Sequence, residues 1–359
     1  LYKGLKIAAL LAASTLALAA CGSSSSGGTS STPAPSTSDT AAASSSAPAS
    51  DVKVGLAYDI GGRGDQSFND SAAAGLDQAK TEFGVEIKEL EATAGETDAQ
   101  KEERLTTLAE AGYNPIIAVG FAYAVALGKV APQFPEIQFG IVDDSSLTEK
   151  NTNVTSLVFA ENEGSFLVGA IAAQASKTGS VGFIGGVNVP LIVKFEKGFE
   201  AGAQAVNPKI KVQAKYLTEP PDFSGFGDPA KGKVAAQGMF DSGADVVYAA
   251  AGGSGGGVFE AAKAAKGWAI GVDSDQYLTA DASVKDVILT SMLKRVDVAV
   301  YSFIKSAVDG SVLTGVQTFD LKVDGVGYSD SNDAVAEYTA KAEELKAQII
   351  AGTITVPSS

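Results

Sequence analysis

The chain has 359 residues, 45% of them hydrophobic and 19% charged, with 40 glycines and one cysteine. This is a globular profile with material for two domains of ordinary size, and a lone cysteine excludes an intrachain disulfide framework. The formal charge is −15 and histidine is absent, which argues against nucleic-acid backbones or anionic lipid as partners.

Residues 1–50 stand apart from the globule. Lys3 and Lys6 carry the early positive charge, residues 7–20 are apolar or small, and Leu18-Ala19-Ala20-Cys21-Gly22 closes a secretory leader too short to span a membrane. Leu18-Ala19-Ala20-Cys21 resembles a bacterial lipoprotein signal, which implies that Cys21 is lipidated and becomes the first mature residue. Several acyl chains would give the stable anchoring that a single chain cannot. Residues 22–50 are Ser, Thr, Ala, Gly and Pro with Asp39 as the one charge, a tract that buries too little apolar surface to fold. As a flexible coil it would hold the globule roughly 30 Å from its anchor. Later apolar runs, 166–173 and 296–304, are too short to cross a bilayer. The expected localisation is the extracytoplasmic face of the cell membrane, lipid-anchored, with a net charge of −17 once Lys3 and Lys6 leave with the leader.

From residue 51 strands and helices alternate. Apolar runs at 52–58, 86–90, 115–120, 138–143 and 154–159 read as strands, and helical spacing marks 70–83, 98–111 and 123–134. After an amphipathic stretch at 162–176 comes a second series: strands at 180–185, 209–217, 245–250, 268–272 and 287–291, helices at 189–206, 231–241 and 255–265. The tail reads as a helix at 295–309, a strand at 317–321 and a helix at 334–351. Such alternation implies parallel sheets covered on both faces, here an α/β chain of two doubly wound lobes with a cleft between them. The expected lobes are 51–160 with about 292–320, and 161–291 with about 321–359. Ligands of open α/β sheets sit at the carboxyl ends of the strands, so function is sought in the loops there.

Five such loops stand out. Asp59 is followed by Gly61-Gly62-Arg63-Gly64 and Asp65-Gln66-Ser67-Phe68-Asn69. As local structure this is a tight turn and a helix cap, with Asn69 or Asp70 as the cap, which leaves Phe68 without a local reason. Gly62-x-Gly64-x-x-Ser67 lacks the third glycine of a dinucleotide fingerprint, and Arg63-Gly64-Asp65 is too short a match to imply adhesion. Asp143-Asp144-Ser145 ends another strand, as a capped turn or as a ligand acceptor. Phe195 forms an i, i+4, i+8 row with Phe199 and Ala203, whose default is core packing, although a residue near the helix start can face the cleft. Residues 251–257, Ala-Gly-Gly-Ser-Gly-Gly-Gly, suggest a phosphate cradle, but no Gly-Lys-Ser/Thr follows and a P-loop is excluded. The glycines there let a ligand or the other lobe approach the backbone. Gly271-Val272-Asp273-Ser274-Asp275-Gln276 and Thr290-Ser291-Met292-Leu293-Lys294 bring two acids and a lysine to neighbouring strand ends. On a surface they make a weak ion pair; in a cleft they offer an acceptor and donors to a vicinal diol. Residues 221–228, PDFSGFGD, form a further Gly-rich loop with no role assigned.

Assembled, these residues resemble the basic membrane protein family of bacterial lipoproteins, the nucleoside-binding proteins of ABC importers. The matching marks are Asp65-x-Ser67-Phe68-Asn69, Gly140-Ile141-Val142-Asp143, Phe195 with Gly198-Phe199-x-Ala201-Gly202, Ala250-Ala251-Gly252-Gly253-Ser254-Gly255, Gly271 to Gln276, and Ser291-Met292-Leu293-Lys294. They keep one order over about residues 51–355. The resemblance implies a type I periplasmic-binding-protein architecture with a hinged cleft. It implies that Phe68 and Phe195 sandwich a base, that Asn69 and Asp143 hydrogen-bond its edge, favouring purines, and that Asp273 and Lys294 hold the ribose hydroxyls. Asp59, Ser67 and Gly253 would be further contacts. The implied partners are a nucleoside and a membrane permease, with no nucleic acid, no cofactor, no metal and no catalytic residue, in a monomer. No arginine cluster is present for phosphate, so a free nucleoside fits better than a nucleotide.

Two other readings use the same residues. A nucleoside hydrolase could employ paired carboxylates such as Asp143 and Asp273, but the Asp-x-Asp-x-x-x-Asp-Asp signature of that class is absent and no histidine stands in. A sugar-binding protein of the same architecture would also use aromatics and acids, and ligand tests separate it from the nucleoside reading.

Overall fold

In the computed structural model residues 50–359 are described; the expected leader, Cys21 and all of the 22–50 tract except Ser50 lie outside them. Among the described residues no helix is long and apolar enough to cross a membrane.

The chain first builds β1 (Lys53–Ala57), α1 (Phe68–Phe83), β2 (Glu86–Leu90), α2 (Asp98–Glu110), β3 (Ile116–Ala118), α3 (Ala124–Val130), β4 (Phe139–Val142) and β5 (Val154–Phe159). It continues with α4 (Glu161–Ala175), β6 (Ser180–Val187), α5 (Pro190–Val206), β7 (Lys211–Thr218), α6 (Pro229–Asp241), β8 (Val246–Ala250), α7 (Gly255–Ala265), β9 (Trp268–Asp273), α8 (Gln276–Thr279) and β10 (Ile288–Lys294). The tail is α9 (Val296–Val308), β11 (Gly315–Phe319), β12 (Val326–Tyr328) and α10 (Ala336–Ile350).

Two six-stranded sheets result, in the orders β11-β5-β4-β3-β1-β2 and β12-β10-β9-β8-β6-β7. The first is parallel throughout; in the second only β12 runs antiparallel, against β10. Each sheet with its helices is one lobe. Central strands such as β6 and β8 are buried along their whole length, which is why they read as unbroken apolar runs, whereas the edge strands β2 and β7 are partly exposed.

The chain passes between lobes at Ala160, at Arg295 and along 320–325. The three crossings are bonded to one another or to their neighbours: Ala160 N donates to Phe319 O (3.0 Å), Arg295 N to Gly325 O (2.9 Å), and Leu321 N to the Glu163 carboxylate (3.1 Å). In the first lobe α9 packs on α1, and the Phe303 ring of α9 covers Gly140 of β4.

Several elements differ from expectation. The helix expected at 123–134 is split into a 3-10 turn (Phe121–Tyr123), α3 and a second 3-10 turn (Ala131–Gln133), because Pro132 has no N–H to carry an α-helical bond onward. The strand expected at 287–291 runs on to Lys294, so that lysine is held by sheet bonding rather than by a loop. The strand expected at 317–321 is Gly315–Phe319. β12 and α8 have three and four residues, too few for a periodic signal.

The most extensive helix contact is α4 on α5. An added Cβ on Gly202 would land on Phe166 O and one on Gly198 on Asn162 O, in each case backbone that cannot yield. This explains the Gly198–Gly202 spacing in packing terms. Gly202→Val is therefore expected to destabilise the fold by about 3 kcal/mol, at the upper end of overpacking costs. Gly238→Ala, on an exposed position of α6 with open space around it, should stabilise by about 0.5–1 kcal/mol. Guanidinium midpoints of the two variants moving in the same direction would contradict this account of the seam.

Candidate functional site

The loop after β1 is organised by two aspartates. Asp65 accepts from Ser67 N (2.9 Å), Asp70 N (3.1 Å) and Asn69 N (2.9 Å), so it caps α1, which starts at Phe68 rather than at 70. Asp70 reaches back to Gly64 N (2.7 Å) and Gln66 N (2.9 Å). Neither Asn69 nor Asp70 is the cap, since both are already inside the helix. Asn69 is buried: its Oδ1 accepts from Asp59 N (3.0 Å), and its Nδ2 donates to Ile60 O (3.3 Å) and Asp65 (3.0 Å). It fixes the loop, and the loop in turn presents the half-buried Phe68 ring to the cleft.

Two further aspartates face each other from equivalent strand ends. Asp143 follows β4 and Asp273 ends β9, and both have positive φ, 70° and 65°. That left-handed conformation is one that aspartate tolerates better than most residues, and it turns each carboxylate off its strand into the cleft. Asp144 instead turns outward and accepts from Ser146 N (2.9 Å). Ser67 Oγ donates across the lobes to Asp273 Oδ2 (2.6 Å), and Ser274 Oγ donates to Ser67 O (2.9 Å).

Between the aspartates lies Lys294, whose side chain is 2% exposed. Its ammonium is 2.5 Å from Asp143 Oδ2 and 3.5 Å from Glu161 Oε1, and it sits over the rings of Phe68 (5.1 Å), Phe159 (5.0 Å) and Phe195 (5.5 Å). Burial alone would pull the lysine down, but Asp143, Glu161 and Asp273 together hold it above its ordinary value. Burial raises Glu161 against the attraction of Lys294. Asp273 is pushed by burial up to about 7, with Lys294 and the Ser67 hydrogen bond opposing. Asp59 on the opposite wall is pushed by burial up to about 6, with the Ile60 N–H opposing. Asp143 Oδ1 is buried and has no hydrogen-bond partner.

Lys294, Asp143, Asp273 and Asp59 border a pocket between the lobes with about 590 Å³ of space, part of it continuous with solvent. Of the residues expected from sequence, Asp59, Phe68, Asn69, Asp143, Phe195, Asp273 and Lys294 line it; Ser67 and Gly253 do not. Ser67 is fully buried and its hydroxyl is spent on Asp273, while Gly252 stands on the wall in place of Gly253. Phe195 lines the pocket at 2% exposure, and the Lys294 ammonium sits over its ring as it does over that of Phe68. The second lobe also offers Phe226, half-buried and packed over Gly186, where any side chain would strike the ring. Phe226 belongs to the 221–228 loop left without a role above. Phe121, at the carboxyl end of β3, and Glu161, in the first turn of α4, also went unread. The strand-end rule that found the other loops could have found Phe121; Glu161 gives no such signal.

The family model for Bmp, described as ABC transporter substrate-binding protein PnrA-like, matches residues 52–359. A CD4+ T-cell-stimulating antigen of Listeria monocytogenes is 37% identical over 86% of this chain and 89% of its own. An ABC transporter nucleoside-binding protein, BmpA, of Lactococcus lactis is 37% identical over 86% and 90%. Among solved structures, an ABC transporter solute-binding protein from Aeropyrum pernix K1 superposes with a TM-score of 0.74 at 31% identity, covering 86% of this chain and 94% of its own.

The raised carboxyls fix a pH dependence. From the ordinary aspartate range up to about 7, the folded chain keeps a proton on Asp273 that the unfolded chain releases, so stability falls as pH rises through that interval. Asp273→Asn, which also tolerates positive φ, removes this contribution. Its melting temperature is expected to fall less between pH 5 and 8 than that of the wild type; parallel profiles would show that Asp273 is already ionised at pH 5.

Proposed function

The chain belongs to the Bmp family of ABC transporter substrate-binding proteins, a class of binding proteins rather than enzymes with the type I periplasmic-binding-protein fold, and on that premise we propose that it captures nucleosides, purine nucleosides foremost, between its lobes for delivery to a membrane permease. The observation that carries this reading is the meeting, in one cleft, of an aromatic wall with a buried carboxylate oxygen, Asp143 Oδ1, that has no partner. An unmatched buried acceptor is costly until a donor reaches it, and the edge of a purine supplies such donors. Phe68 from one lobe and Phe226 from the other are assigned to the faces of the base, with Phe195 beneath. Base stacking on aromatics is worth about 1–3 kcal/mol per base in comparable settings. The ribose hydroxyls are assigned to Asp273 and Lys294, with Asp59 within reach of the same pocket and Asn69 and Ser67 acting by holding the loop.

The nucleoside-binding relative from Lactococcus supports the nucleoside class. Charge supports an uncharged ligand: Asp59, Asp65, Asp143 and Asp273 line the pocket against one lysine, and no arginine is among the lining residues. A phosphate would be repelled there. We assign the membrane attachment to lipidated Cys21 and the 22–50 tract, on the extracytoplasmic face, with the binding protein acting as a monomer.

Calorimetric titration of the purified protein, unfolded and refolded to strip carried-over ligand, should show stoichiometric, submicromolar binding of guanosine, inosine or adenosine, left intact afterwards. Heat from ribose or galactose alone would replace the nucleoside reading with a sugar one. Asp273→Asn should weaken nucleoside binding about 10- to 100-fold, the worth of a charge-assisted hydrogen bond, with an unchanged circular dichroism spectrum. Equal affinity in wild type and variant would remove Asp273 from the ribose site.

A further inference from the structure

The 221–228 loop leaves β7, the outermost strand of the second sheet, and contributes only Phe226 to the pocket. It is fastened to its own lobe at several points. Thr218 Oγ1 donates to Asp222 O (2.6 Å), and Ser254 Oγ donates to Gly225 O (2.7 Å) while accepting from Asp228 N (2.8 Å). Gly225 lies against Gly186 O too closely for any side chain. From this fixed base the loop meets the other lobe. The Phe223 ring lies edge-on to Phe121, with centroids 5.8 Å apart and planes at 68°, and Gly227 faces Ile60.

The position matters more than the contact itself. β7 is separated from β10, next to a lobe crossing, by β9, β8 and β6, which at about 4.8 Å per strand puts the loop roughly 19 Å from that edge. An opening of about 20° would carry the loop roughly 7 Å on that lever arm, enough to separate two rings entirely. The Asp143–Lys294 pair lies at the hinge end of the cleft and moves far less. An aromatic pair at the mouth therefore forms only at the closed angle.

We propose that Phe223 and Phe121 are a closure latch: Phe223 is a positioning residue, seated by Ser254, that slows release of the bound solute through its ring contact with Phe121 and without touching the solute. The latch rests on the solute-binding reading above. In stopped-flow release of guanosine or inosine, Phe223→Ala should raise koff about two- to tenfold, the range an aromatic pair supplies, with kon within about twofold. Phe223→Tyr should restore the wild-type koff. In a Phe121→Ala background, where the pocket wall is also altered, Phe223→Ala should add nothing. A koff that is unchanged in Phe223→Ala, or that rises equally in both backgrounds, would overturn the latch. If neither nucleoside binds the wild type, the nucleoside reading fails and small-angle scattering of the ligand-free protein decides instead. A larger radius of gyration in Phe223→Ala than in wild type, not exceeded by the double variant, supports the latch; equal radii in all three overturn it.

Discussion

The cleft is arranged around the burial of one ammonium group. An unpaired lysine as deeply enclosed as Lys294 costs several kcal/mol of lost hydration, so the fold must supply counter-charge at close range. It does so from both lobes, with Asp143 from the first and Glu161 and Asp273 from the second, while three phenylalanine faces fill the remaining directions. The angle between the lobes is thereby tied to electrostatics, because separating them takes Asp143 away from its lysine. Three carboxylates around one cation leave an excess of negative charge in a dry setting. Burial in that setting raises both Asp273 and Glu161 above their ordinary values, with Lys294 opposing.

The same cleft reflects a repeated construction. β1, β2, β3, β4 and β5 of the first sheet correspond in order to β6, β7, β8, β9 and β10 of the second, and the third strand from the hinge edge ends in a left-handed aspartate in each. The duplication places two acids on facing walls without any long-range design. What differs between the halves is where each acid is spent: Asp143 on the lysine, with one oxygen left over, and Asp273 on Ser67 of the opposite lobe. Paired acids across a cleft are also what a glycosidase needs, yet here both are committed to closing the lobes. That commitment suits a chain of a binding-protein family.

Much of this was legible in the residues because parallel strands buried on both faces leave apolar runs, as at 180–185 and 245–250, and because function concentrates where those runs end. Phe68 was recognisable since nothing local accounts for it. What the residues alone do not show has equally physical causes. Ser67 enters as a contact implied by the resemblance, and its hydroxyl has no visible partner in the sequence until the fold brings Asp273, 206 residues away, to it. Phe195 comes from the family resemblance, against a helical periodicity that reads as core, whereas Phe226 sits in a loop that carries no periodic signal; only the folded chain brings both rings to the pocket. Glu161 reads as an ordinary acid in a first helical turn, favourable to the helix dipole, and its second role exists only because β10 delivers Lys294 beside it.

Glu161 and Lys294 also stand directly beside two of the three crossings, at Ala160 and Arg295. Pocket floor and hinge are therefore built from adjacent residues, and a change in the charge environment of Lys294 is felt where the chain bends. A solute can favour one lobe angle only to the extent that it binds that angle better. A donor reaching Asp143 Oδ1 while its other groups engage Asp273 and Lys294 satisfies acceptors from both lobes at once, and it can do so only when the lobes are together. On the proposed reading, the unmatched oxygen on Asp143 would do more than select for ligands with donors: it would make their binding and the closing of the cleft a single equilibrium.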